Sequence, residues 1–230
     1  MKKITTSLLA IFAFSVLSHA QTTDKPDTPE VKFRVKSGLN ISNFSNDPES
    51  KSKTGFHLGA AAEIFITDKF SIQPELQYST QGAKAKSSAY DDYEYEYDYD
   101  YDDYDDYGYY YDSGYQISKM VAKLNYLNIP IMAKYYIADG LSIQAGPQLG
   151  FLLKAKAEID VKIENEKTTI TKDIKSSVNK VDFGLNFGVG YDLPIGLFFD
   201  ARYNLGLTNF NKEGDKIQHR VFQLGVGYKF

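Results

Sequence analysis

The chain has 230 residues and a formal charge of −4, with no Cys, no Trp, 19 Tyr and 15 Phe. Without Cys there is no disulfide framework, no thiol chemistry and no cysteine-based metal site. The length suits one domain, and the acidic balance has the wrong sign for a nucleic-acid partner.

Lys2 and Lys3 precede an apolar run from Ile4 to Leu17, and Ser18-His19-Ala20 supplies small residues where a signal peptidase needs them. Residues 1–20 therefore read as a signal peptide, since the run is too short to span a bilayer comfortably. No later stretch is apolar enough for a transmembrane helix. Residues 21–30, polar with two prolines, read as a short periplasmic leader.

From residue 31 onward the pattern is strict alternation, the mark of strands with one apolar and one polar face. Val31 to Ile41 sets Val31, Phe33, Val35, Leu39 and Ile41 against Lys32, Arg34, Lys36, Gly38 and Asn40. Thr54 to Ile66 sets Phe56, Leu58, Ala60, Ala62, Ile64 and Ile66 against His57, Gly59, Ala61, Glu63 and Phe65. After a tight turn at Thr67-Asp68-Lys69, Phe70 to Gly82 alternates through Ile72, Pro74, Leu76 and Tyr78. Pro74 has no N–H for a ladder, so it calls for a bulge or a locally unpaired position.

A fourth strand, Ile117 to Ile137, carries Tyr126, Asn128, Met132, Lys134 and Tyr136 on its inner face. Ala138-Asp139-Gly140 turns into a fifth, Leu141 to about Ala157, with Ser142, Gln144, Gln148 and Lys154 predicted inward. The polar connection 158–179 is expected to extend the flanking strands beyond the bilayer. Lys180 to Leu193 turns at Pro194-Ile195-Gly196 into Leu197 to about Phe210, and the chain ends on the strand His219 to Phe230. Asp182, Asp192, Asp200, Arg202 and Lys229 fall on the polar faces.

These are eight strands joined alternately by long polar connections and very short turns. One face carries Phe, Leu, Ile, Tyr and Val. The other carries small residues, amides and charges. A soluble eight-stranded barrel would hide the bulky face. A narrow tube in lipid shows it, and only helices and closed barrels satisfy their backbone groups there. The predicted fold is all-β: an eight-stranded antiparallel up-and-down transmembrane β-barrel over residues 31–230. Its short turns and both termini are periplasmic and its long loops extracellular.

The segments KSGLNISNF (36–44), GFHLGAAAEIFITDKFSIQPELQYSTQGAK (55–84), LNYLNIPIMAKYYIADGLSIQAGPQLGFLL (124–153), FGLNFGVGYDLPIGLFFDARYNLGLTNF (183–210) and the final QLGVGYKF (223–230) carry a resemblance. They resemble the porin-family outer-membrane β-barrel domain of Gram-negative bacteria. The resemblance implies the fold and the outer membrane, and no particular activity. It covers nearly all of the chain after residue 30 except one insertion.

That insertion is an acidic, tyrosine-rich extracellular loop at 84–116. Its centre, Tyr90 to Tyr115, holds 12 Tyr, 9 Asp and 2 Glu and no Lys or Arg, a charge of −11. Without Lys2 and Lys3 the chain carries −6, so everything outside this stretch carries +5. Like-charge runs of this kind repel themselves. Tyr93, Tyr95, Tyr97, Tyr99, Tyr101 and Tyr104 are candidate contact residues for a partner, since Tyr is favoured at recognition surfaces. Asp98, Asp100, Asp102 and Asp103 are weak Ca²⁺ candidates, because the glycine-turned loop of a true calcium site is missing.

The predicted lumen charge network is Lys32, Arg34, Lys36, Glu63, Glu75, Lys134, Asp182, Asp200 and Arg202, which must pair because isolated buried ions are costly. His57 and His219, the two His after residue 20, sit near the outer rim. No P-loop, nucleophile elbow or H-E-x-x-H appears. The expectation is a non-enzymatic protein without cofactor, held in outer-membrane lipid. Its loops would meet a cationic ligand, divalent cations, or a host or neighbouring surface molecule. Two alternatives stand beside surface interaction: a porin for small solutes or cations, and a purely structural surface barrel.

Overall fold

A computed structural model describes residues 29–46, 50–85, 115–163, 166–214 and 216–230. Residues 1–20, read as a signal peptide, and most of the expected leader lie outside the described residues. Among the described residues nine antiparallel strands form: β1 (Val31–Ser45), β2 (Ser50–Thr67), β3 (Phe70–Ala85), β4 (Tyr115–Ala138), β5 (Leu141–Ile163), β6 (Glu166–Asp173), β7 (Val181–Asp192), β8 (Leu197–Gly206) and β9 (Gln218–Lys229).

Eight of them close a ring. Each strand pairs with its sequence neighbour, β5 reaches past β6 to β7, and β9 returns to β1 from Arg34↔Lys229 to Ser45↔Gln218. β6 stands outside the ring, bonded to the outer stretch of β5. The eight-strand expectation holds for the barrel. The connection 158–179 does more than extend its neighbours, because it folds back as a hairpin strand of its own.

The short turns have local causes. Thr67 Oγ1 accepts hydrogen bonds from the N–H groups of Lys69 (3.3 Å) and Phe70 (3.0 Å). Gly140 (φ 74°) and Gly196 (φ 86°) take left-handed conformations that only glycine adopts cheaply. Pro74 is accommodated without a bulge. The β2–β3 ladder runs to Ala61↔Glu75 and resumes at Ile64↔Ile72, leaving the proline unpaired toward β2.

The faces sort as alternation requires. Leu39, Ile41, Phe56, Leu58, Ile131, Ile143, Phe187, Phe199, Leu224 and Tyr228 all lie exposed on the outside. The buried set is dominated by polar and charged side chains, the reverse of a soluble domain and the signature of a barrel with lipid around it.

Two predicted boundaries are corrected. Lys154 does not enter the lumen. A bulge lets Asn125 pair with Lys154 and Tyr126 with Leu152, so the extra residue flips the parity above it. Leu152 and Ala155 turn inward and Lys154 is exposed. The strand predicted to reach Phe210 stops at Gly206, where the chain bends and buries Phe210 instead.

Candidate functional site

The lumen is filled in layers. At the periplasmic end a vestibule of about 610 Å³ opens between the short turns, with Lys32, Phe65, Tyr136, Asp192 and Lys229 in its wall. Lys32 Nζ sits 4.7 Å from the centroid of the Phe65 ring, in the vestibule wall.

Above it Arg34 holds two carboxylates. Its Nε donates to Glu63 Oε2 (2.6 Å), and its Nη1 and Nη2 clamp the Asp192 carboxylate, Nη1 at 3.0 Å. Glu63 also takes Lys134 Nζ (2.9 Å), the Ser71 hydroxyl (2.7 Å) and the Tyr136 hydroxyl (2.7 Å). Lys229 Nζ completes Asp192 at 2.9 Å. These partners come from strands far apart in sequence, which only a closed ring brings together.

The next layer is a closed four-membered set. Arg202 forks onto Glu75 at 2.8 and 2.7 Å. Lys36 Nζ bridges Glu75 (3.0 Å) and Asp200 (3.1 Å), and Arg202 reaches Asp200 at 3.2 Å. Gln73 donates to Glu75 at 2.6 Å. All four charged side chains are buried. A cavity of about 10 Å³ touches both layers, lined by Arg34, Lys134, Asp200 and Arg202, and is no larger than one water needs.

An amide layer follows. His57 Nδ1 pairs with Asn40 Oδ1 (2.8 Å), and Gln223 donates to the same oxygen (3.0 Å). Gly38 makes room for it, since a methyl there would lie 2.6 Å from His57 Cε1 and 2.0 Å from the Leu224 carbonyl oxygen. Asn204 donates to Asn186, and Asn186 to Gln148, at 3.1 Å each.

The outermost layer is apolar. Leu124, Tyr126, Leu152, Ala155, Val178 and Phe210 cluster, with Phe44 and Ile174 packed on them. His219 lies among these rings, 5.2 Å from both Phe44 and Phe210, and its Nε2 meets the Tyr126 hydroxyl at 3.1 Å. Both histidines are buried, and His219 lies in this outermost layer.

Of the predicted network, Arg34, Lys36, Glu63, Glu75, Lys134, Asp200 and Arg202 are brought together. Asp182 is buried toward the outer end and has no ion-pair partner within 4 Å among the described residues. Asp192 and Lys229 join the network, as their inward parity allows. The apolar cap went unpredicted. Parity places Phe44 and Leu124 inward, whereas Val178 comes from a polar connection with no alternation to read, and Phe210 lies past the bend after Gly206 where the strand ends. The candidate contacts Tyr93, Tyr95, Tyr97, Tyr99, Tyr101 and Tyr104 lie outside the described residues, as do the calcium candidates Asp98, Asp100, Asp102 and Asp103. Among the described residues no three His, Asp or Glu gather as a metal site.

An eight-stranded ring with bulky apolar residues outside and ion pairs within defines a transmembrane barrel of the bacterial outer membrane. The chain belongs to the outer membrane protein beta-barrel domain family, whose model matches residues 19–212. A sequence comparison with curated proteins finds no match. Among solved structures it is similar to Neisserial surface protein A (16% identity, 86% of this chain and 97% of that one, TM-score 0.48). It is also similar to the attachment invasion locus protein Ail of Yersinia pestis (12%, 87% and 99%, 0.45). A third is a major outer membrane protein of Thermus thermophilus (13%, 87% and 100%, 0.48).

Proposed function

We propose that this outer-membrane barrel works at the cell surface, as a non-enzymatic interaction or adhesion protein, and not as a diffusion pore. The observation that carries the reading is the plugged lumen: two layers of buried ion pairs cross it, and an apolar cluster lies over them. A hydrated ion would have to break salt bridges and then cross a dry cap. What the barrel offers the outside is its outer strand extensions and the loops they carry, including the stretch of charge −11. That stretch would recruit cationic ligands, divalent cations or basic surface molecules of a host or neighbour.

Two measurements test this. Refolded protein in a planar bilayer should be electrically silent. Cells displaying the full chain should bind a cationic surface or peptide, and cells displaying a chain without residues 86–114 should bind less. A steady conductance that loses cation preference with the loop would instead make the protein a small porin.

A further inference from the structure

β6 is an edge left open. It pairs with β5 from Lys156↔Asp173 to Ile163↔Glu166 and with no other described strand. All eight of its residues are exposed. It carries no proline and no bulge, and its middle, Thr168-Thr169-Ile170-Thr171, is entirely β-branched. Natural proteins usually blunt such edges, because an unpaired row of N–H and C=O groups templates another strand.

We propose that this edge pairs antiparallel with β6 of a second copy of the chain in an apposed outer membrane. The inference rests on the surface-interaction reading and names the partner. The proposed register is the one centred on Ile170, which extends the existing Ile159–Ile170 pair. Centred on Ile170, Lys167 of each copy faces Asp173 of the other, Thr169 faces Thr171, and Ile170 faces Ile170. Cross-strand opposite charges stabilise such a pair and like charges oppose it. A shift of one residue that pairs Lys167 with Lys172 would also set Glu166 against Asp173, whereas the centred register sets opposite charges face to face. Ile170 already faces Ile159 across β5–β6. Pairing would therefore run a row of four isoleucines over one continuous sheet.

The direction of the strand decides where the second copy stands. β5 rises from the periplasmic turn at Gly140, so β6 descends toward the membrane. Two copies in one membrane would present β6 in parallel. Only copies from facing membranes present it antiparallel about a twofold axis. The eight residues give an edge about 26 Å long.

The test is a charge-reversal exchange on whole cells displaying the full chain, in about 0.15 M salt, where charges beyond about 8 Å are screened. Cells with the unaltered protein should cluster with each other. Lys167→Asp cells should not cluster among themselves, because Asp then faces Asp. Asp173→Lys cells should not either, because Lys faces Lys. A mixture of the two should cluster again, each aggregate holding both kinds of cell, since every pair is then opposite in charge. Both side chains are exposed, and heat-modifiable migration confirms that each variant is a folded barrel. Clustering that survives both single reversals, or a mixture that stays dispersed, overturns the inference. No clustering by the unaltered protein also overturns it, and leaves the surface reading to the loop-deletion assay above.

Discussion

The inner and outer halves of the lumen are filled by opposite chemistry. The inner half is ionic, built from strand residues in strict alternation. The outer half is apolar, built partly from connections. The ionic layers cost desolvation and regain it through many mutual bonds, so their value lies in fixing which strands face each other. The apolar cap needs no partners in register. It shields the amides beneath it from water by packing alone. The difference separates two tasks, holding the ring in register and sealing it.

The largest expected effect comes from orphaning a charge. Glu75→Ala leaves Lys36 and Arg202 to share Asp200 alone, with one cation in excess, and one broken buried pair costs roughly 3–5 kcal/mol. Urea unfolding of the refolded barrel should show that loss. Replacing both ends, Glu75→Leu with Arg202→Met, should recover much of it, because no lone charge then remains. A double variant as unstable as the single one would mean the layer is not acting as paired ions.

Next comes the cap. Phe210 packs on Phe44 at 5.0 Å between centroids and on His219. Phe210→Ala should cost about 3 kcal/mol, the usual scale for emptying an aromatic site. It should also sharpen the division of tasks. Glu75→Ala should stay silent in a bilayer while the cap is intact, whereas combining it with Phe210→Ala should give measurable current. Current from Glu75→Ala alone would move the seal into the ionic layers.

The ionic half was legible in the sequence because a period of two assigns every strand residue to a face, and Arg34, Lys36, Glu63, Glu75, Lys134, Asp200 and Arg202 all keep it. Alternation says nothing about which charge meets which, since that depends on ring closure and strand stagger. Arg34 finds Asp192 across the barrel only because β1 pairs with β9. The reading failed at Lys154 because counting by two runs straight through a bulge. It missed Val178 because an apolar residue inside a polar connection carries no period, and the cap role of Phe210 because the predicted strand ran straight through the bend after Gly206. The hairpin strand β6 was hidden by its own polarity, since Thr and Lys on both faces give no alternation to detect.

The smallest effect belongs to the outer extension. Lys123 Nζ and Glu158 Oε2 meet at 2.5 Å where β4 and β5 rise beyond the ring, but Lys123 is half exposed. Exposed pairs contribute about 0–1 kcal/mol and are screened by salt. Lys123→Ala should therefore shift the urea midpoint barely, and raising the salt concentration should erase that shift. The same salt should leave the cost of Glu75→Ala almost unchanged, because mobile ions do not enter a lumen packed this tightly. If both variants lost their effect together in salt, the inner layers would be open to solvent, and the contrast between a dry ionic lumen and a wet outer extension would fail.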